Sequence, residues 1–151
     1  MPLTDKYNRE HKYLRISITD KCNLNCLYCK PIKVKSKTYK TNILSFEEIE
    51  RLVKIFVNAF SFKKVRITGG EPFVRKDVFK LIERLSLLKS EKDFELTATT
   101  NGTFLKNKIF DLKRSGLDRL NFSLDTLNKQ KFNKITGCDK LSDVIDSIDQ
   151  A

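Results

Sequence analysis

The stretch Lys64-Val-Arg-Ile-Thr-Gly-Gly-Glu-Pro72 joins a short β-branched run to a turn of two glycines and a proline. The run predicts a buried strand, and the glycines and the proline mark its end. Apolar side chains then recur at helical spacing, at Val78, Leu81, Ile82, Leu85 and Leu88. This spacing predicts a helix that packs one face on the strand. A strand followed by a helix is therefore the unit from which the fold is built.

The same unit recurs along the chain, giving four predicted strands. The other three strands are predicted at residues 13–19, 94–99 and 117–124. The helix after the first strand begins at the capping box Ser45-Phe-Glu-Glu48. Repeated strand–helix units predict an α/β fold with a parallel sheet and right-handed crossovers.

The suggestive polar clusters all follow predicted strands. In parallel sheets, chemistry takes place beyond the carboxyl ends of the strands. In chain order, these clusters are Cys22, Cys26 and Cys29, then the turn 69–72, then the run 99–102, and finally Ser123 and Asp125. Their common position predicts a single functional edge of the sheet.

Three of the four cysteines stand within one short run, 22–29. A structural zinc needs four ligands, whereas an iron–sulfur cluster held by three cysteines leaves one iron open for chemistry. His11 is the only histidine, and it precedes the first strand, at the wrong end of the sheet. The pattern favours the cluster and keeps a zinc site as the alternative. Cys138 is predicted to be a solvent-facing free thiol.

Composition and charge restrict the class of protein. The 151 residues are 40% hydrophobic and carry a net charge of +11, and no apolar run reaches membrane-spanning length. We expect one globular, intracellular domain that either binds an anion or has a lysine-rich surface.

Arg15 and Arg66 lie inside predicted strands, opposite the apolar side chains. They face either an anion in a cavity or solvent at an uncovered sheet.

The cysteine spacing, with Tyr28 before the last cysteine, resembles the radical S-adenosylmethionine superfamily, and Gly-Gly-Glu-Pro resembles its second signature. The chain is most similar to the N-terminal half of the GTP 3′,8-cyclase family, also called molybdenum cofactor biosynthesis protein A. The matching stretches are 13–23, 65–72, 99–102, 120–125 and 132–137. The resemblance implies a partial parallel (β/α) barrel with four strand–helix units and open edges.

The resemblance also implies ligands and an activity. A [4Fe–4S] cluster and S-adenosylmethionine would be the cofactors, and GTP the substrate. As a lyase of molybdenum cofactor biosynthesis, the enzyme would convert GTP to (8S)-3′,8-cyclo-7,8-dihydroguanosine 5′-triphosphate. The residues implied are Cys22, Cys26 and Cys29 for the cluster, Tyr28, Gly70 and Ser123 for S-adenosylmethionine, and Arg15, Arg66 and Thr99 for GTP.

The family continues into a C-terminal region with a second three-cysteine cluster, and residues 1–151 contain only the radical core. We therefore expect this chain to assemble the first cluster without completing GTP cyclisation. We also expect a cytoplasmic protein with a reductant protein as partner, no membrane or nucleic-acid partner, and a homodimer at full length. The alternatives are another radical enzyme, such as one that modifies RNA, and a truncated, non-catalytic or zinc-binding module.

Overall fold

The computed structural model describes residues 2–29 and 43–151. A short antiparallel hairpin, β1 (Leu3–Thr4) with β2 (Glu10–His11), precedes the main sheet. The strands of the main sheet are β3 (Tyr13–Ser17), β4 (Lys64–Thr68), β5 (Glu95–Thr100) and β6 (Arg119–Phe122). The helices are α1 (Phe46–Phe60), α2 (Val78–Leu87), α3 (Ile109–Arg114), α4 (Lys129–Thr136) and α5 (Leu141–Asp149).

The main sheet is parallel throughout, with strand order β3-β4-β5-β6. This confirms the predicted α/β fold with four strand–helix units. Within the described part of the chain, β3 and β6 each pair with one neighbour, so the sheet is an open segment and not a closed barrel. The register sets Arg15 opposite Arg66 and Arg66 opposite Thr97, which aligns three polar side chains across the sheet.

Helix α1 begins where its sequence predicts. The Ser45 side chain accepts a hydrogen bond from the Glu48 backbone N–H at 3.1 Å, and the Glu48 carboxylate accepts one from the Ser45 N–H at 2.7 Å. Both bonds satisfy donors that a helix start leaves free. The helix then buries the stripe Ile49, Val53 and Val57 against the core.

One face of the sheet is apolar and covered by helices, and the other is polar. The covered face contributes Val65, Ile67, Leu96 and Ala98, all at most 1% exposed. Because side chains alternate across a strand, the arginines of β3 and β4 point the other way. Truncating a core side chain such as Leu81 to alanine would cost about 2–5 kcal/mol of stability.

A second, smaller apolar cluster joins α4 to α5 and consists of Phe132, Leu141 and Val144. Cys138 packs against this cluster and is half-buried. The prediction of a solvent-facing thiol is therefore wrong. The αL turn at Gly137, which ends α4, directs the next residue back toward the two helices.

Candidate functional site

The cysteine loop, which we define as residues 20–29, leaves the carboxyl end of β3 and packs against the Gly-Gly-Glu turn that follows β4. The Gly70 N–H donates to the Thr19 carbonyl and the Glu71 N–H to the Lys21 carbonyl, each at 2.8 Å. A Cβ atom on Gly70 would lie 2.4 Å from the Lys21 carbonyl oxygen. Glycine is therefore required for the approach of two backbones.

The middle of the cysteine loop is fixed to the carboxyl end of α4. The Asn25 N–H donates to the Thr136 carbonyl at 2.9 Å, and the Leu27 N–H donates to the Ile135 carbonyl at 3.0 Å. These are carbonyls of the last helical turn, which has no intrahelical donors for them. The loop thus satisfies the end of the helix, and the helix positions the loop.

The cysteine loop also contacts the turns after β5 and β6 through its side chains. Asn23 donates to the Thr103 hydroxyl at 2.7 Å and accepts from the Asn101 amide at 3.0 Å. The Tyr28 hydroxyl donates to the Asp125 carboxylate at 2.8 Å. The acceptor carboxylate favours the neutral phenol, and with partial burial it raises the Tyr28 pKa well above its ordinary value. All four strand ends therefore contribute to one site.

The three loop cysteines are unpaired thiols, with Cys22 and Cys26 half-buried and Cys29 exposed. Burial raises the pKa of the Cys26 thiol; a hydrogen bond with Tyr28 partly opposes the rise, and the neighbouring Cys22, Cys29 and Asp125 add to it. A bound cation would have the opposite effect and favour the Cys26 thiolate. Within residues 2–29 and 43–151, however, no group of three or more cysteine, histidine or acidic side chains is arranged so that it could hold a metal ion.

Glu71 is the buried carboxyl group of the site and is 1% exposed. It accepts hydrogen bonds from the Phe73 N–H at 3.1 Å, the Thr100 hydroxyl at 2.9 Å and the Asn101 N–H at 2.7 Å. Burial raises its pKa, and the three donors oppose the rise. The side chain ties the turn after β4 to the turn after β5.

The polar face of the sheet carries the two arginines that the sequence singles out. Arg66 donates to the Thr97 hydroxyl at 3.2 Å and to the Asn121 side-chain oxygen at 3.3 Å. Glu95, on the same face, pairs with Lys64 at 2.5 Å and Arg119 at 3.0 Å. Among the residues that the structure describes, Arg15 and Arg66 have no carboxylate partner.

Thr99 lies on the same face of the sheet. Its hydroxyl oxygen is buried and has no hydrogen-bond partner within the described ranges. Buried hydroxyls are normally satisfied, so this atom needs a partner other than those that the described residues supply. Thr99 is one alternating position beyond Thr97, toward the strand ends.

The predicted site residues therefore divide into two groups. The cysteines, Tyr28, Gly70 and Ser123 lie at the strand ends, where the Ser123 N–H donates to the Thr100 carbonyl at 2.8 Å. Arg15, Arg66 and Thr99 lie on the adjoining polar face. No individual role was predicted for Asn23, Asn101 or Glu71, although all three stand in the motifs at the predicted functional edge. Their position in the motifs that follow the strands is the sequence feature that could have identified them.

The chain is similar in sequence to several known proteins. A family model described as the Radical SAM superfamily matches residues 16–151. A GTP 3′,8-cyclase from Campylobacter lari is 46% identical over 149 residues, covering 99% of this chain and 45% of that protein. Molybdenum cofactor biosynthesis protein 1 from Drosophila melanogaster is 44% identical over 150 residues, covering 99% of this chain and 26% of that protein. The chain thus spans under half the length of these relatives.

Solved structures support the fold. The crystal structure of Streptococcus suis SuiB matches with a TM-score of 0.66 and 22% identity, over 87% of this chain and 29% of that one. BtrN in an open conformation matches with a TM-score of 0.57 and 18% identity, over 85% of this chain and 56% of that one. In the described part of this chain, no helix has the length and apolar character needed to cross a membrane.

Proposed function

Because the chain belongs to the radical S-adenosylmethionine superfamily, we propose that Cys22, Cys26 and Cys29 hold a [4Fe–4S] cluster. The observation that carries the proposal is a single loop with three free thiols, anchored at the ends of all four strands. Three thiolates suit a cluster that keeps one iron open. When bound, the cluster supplies the electron for reductive cleavage of S-adenosylmethionine.

We propose that the strand ends bind S-adenosylmethionine through Tyr28, Gly70 and Ser123. Tyr28 is 70% exposed, while its hydroxyl is fixed by Asp125, so its ring can stack on a flat ligand without first being ordered. The exposed Gly70 has no side chain to obstruct an approaching ligand. Ser123 is exposed, two residues before Asp125, and its hydroxyl can both donate a hydrogen bond to a polar group and accept one from it.

We propose that the polar face binds GTP through Arg15, Arg66 and Thr99. Two arginines in register on neighbouring strands, with no carboxylate between them, suit a phosphate group. Thr97 and Asn121 hold the Arg66 guanidinium in one orientation. The unsatisfied Thr99 hydroxyl adds a hydrogen-bonding group at the same face.

These assignments make residues 1–151 the radical core of a GTP 3′,8-cyclase of molybdenum cofactor biosynthesis. The relatives that carry this name contain more than twice as many residues as the matched region. We therefore propose that this segment binds the cluster and S-adenosylmethionine, while completing cyclisation requires a second, C-terminal cluster region. A separate reductant protein would deliver the electron.

Metal analysis of protein purified and reconstituted without oxygen tests the proposal. We expect about four irons per chain, with loss of iron in Cys22→Ala, Cys26→Ala and Cys29→Ala. Cys138→Ala is the matched control, because this thiol packs between α4 and α5, and it should retain full iron. One zinc per chain without iron would instead indicate the zinc-binding alternative. Salt-dependent RNA binding without GTP binding would indicate an RNA-modifying enzyme.

A further inference from the structure

We propose that Asn101 is a positioning residue that fixes the cysteine loop and sets the reduction potential of an iron–sulfur cluster bound there. The inference rests on the proposed function, since it concerns the same loop. Its basis is the Asn101 carboxamide, whose nitrogen lies 3.9 Å from the Cys22 sulfur and 3.0 Å from the Asn23 side-chain oxygen.

The orientation of the Asn101 amide is determined by its partners. Its oxygen accepts the Thr103 backbone N–H at 3.0 Å and the Thr103 hydroxyl at 2.7 Å. A backbone N–H can only donate, so the oxygen must face Thr103. The NH₂ group consequently faces Asn23 and Cys22, and both are acceptors.

The backbone that carries this amide is itself fixed. The Asn101 N–H donates to the buried Glu71 carboxylate at 2.7 Å. Thr103 in turn accepts from Asn23 at 2.7 Å, which closes a ring of side-chain hydrogen bonds among Asn101, Asn23 and Thr103, beside Cys22. The amide therefore stays in place through contacts made on three sides.

A donor held at Cys22 has an electronic consequence. The Cys22 sulfur already accepts the Leu24 N–H at 3.4 Å, and the Asn101 amide is a second donor. Hydrogen bonds to ligating sulfurs withdraw electron density and favour the reduced, more negative cluster. The Asn101 amide should therefore raise the reduction potential, and its removal should lower it.

Two variants test the electronic effect. Asn101→Asp keeps an oxygen toward Thr103 but replaces the NH₂ donor, and Asn101→Ala removes the whole group. Asn107→Asp is the control, because it adds the same charge while keeping the oxygen that Gln150 contacts. In an EPR-monitored redox titration of reconstituted protein, both Asn101 variants should shift the midpoint potential to more negative values. The Asn107 variant should match the wild type.

A second measurement does not require a cluster. A double-mutant cycle of Asn23→Ala and Asn101→Ala in the metal-free chain should give a non-zero coupling in the free energy of unfolding, because the two amides bond directly. Unchanged potentials at full iron content would overturn the electronic role, and additive stabilities would overturn the positioning role. If the wild type binds no iron, the proposed function fails, and the coupling alone decides whether Asn101 positions the loop.

Discussion

The buried carboxylate of Glu71 accepts the backbone N–H of Asn101 at 2.7 Å, joining the turn after β4 to the turn after β5. Two further donors, the Phe73 N–H and the Thr100 hydroxyl, meet the same carboxyl group. A single acidic side chain thereby connects the Gly-Gly-Glu-Pro and Thr-Thr-Asn-Gly motifs. The two motifs form one structural unit, although they lie 30 residues apart.

The Glu71 carboxyl group should make the stability of the chain depend on pH. Its pKa is raised in the folded state, so the stability contributed by its protonated form is present below the ordinary glutamate range and is lost as pH rises through the folded-state pKa. Glu71→Gln cannot ionise. We expect the wild type to lose stability relative to Glu71→Gln as pH rises, measured by urea unfolding at several pH values.

The glutamine variant should also be less stable at low pH, because its NH₂ group meets an N–H donor where the carboxyl group offered an acceptor. An unpaired buried donor costs about 1–3 kcal/mol. Parallel stability curves for the two proteins across the whole pH range would contradict a raised Glu71 pKa.

Gly70 and Gly137 should respond to alanine substitution for different reasons. A Cβ on Gly70 would lie 2.4 Å from a backbone oxygen, whereas a Cβ on Gly137 would meet Asn25 at an ordinary 3.5 Å. Gly137→Ala therefore suffers only from its left-handed φ of 72°, which costs about 1 kcal/mol. Gly70→Ala must displace backbone, at about 3 kcal/mol. Chemical denaturation measures both losses of stability, and equal losses would contradict the closer backbone contact at Gly70.

The Tyr28–Asp125 hydrogen bond should contribute to the order of the cysteine loop. Tyr28 is largely exposed, so its coupling to Asp125 is expected to be small, about 0.5 kcal/mol. Hydrogen exchange in the cysteine loop should nevertheless accelerate in both Tyr28→Phe and Asp125→Ala. Combining the two substitutions should add little further acceleration. Exchange that stays at the wild-type rate in both single variants would rule out this anchoring role.

Arg66 should contribute to GTP binding more than Arg119 does. Both arginines lie on the polar face, but Arg119 already pairs with Glu95, whereas Arg66 hydrogen-bonds only the neutral Thr97 and Asn121 among the described residues. Removing a charge-assisted contact to phosphate should weaken binding about tenfold in Arg66→Gln. Arg119→Gln makes the same charge change and should leave the affinity nearly unaltered. Calorimetric titration with GTP distinguishes them, and equal losses would argue for a non-specific charge effect.

Much of the fold was predictable because local signals agreed with the tertiary structure. The Ser45 capping box starts α1 as expected, and the predicted strand at residues 64–68 has the observed bounds. The strand predicted at 117–124 is shorter, Arg119–Phe122, because pairing with β5 ends at Phe122. The hairpin of β1 and β2 was not predicted, since its two-residue strands are exposed and lack an apolar pattern.

The position of the site could be predicted from the sequence better than the hydrogen bonds between its side chains could. Strand topology gathers the cysteines, Gly70 and Ser123 at one edge, which a parallel sheet requires. Side-chain partners such as Asn23 with Asn101 depend on loop geometry across 78 residues, which no local pattern encodes. The glycine turn was expected to admit a ligand, and the structure adds a different reason for Gly70, namely contact with the Lys21 backbone.

The most direct test of the central claim is the EPR spectrum of the reconstituted, reduced chain before and after addition of S-adenosylmethionine. A cluster held by Cys22, Cys26 and Cys29 with one open iron predicts a reduced-cluster signal whose g values change on addition, in the wild type and in Cys138→Ala alike. A cluster signal that S-adenosylmethionine leaves unchanged would contradict the proposed open iron site.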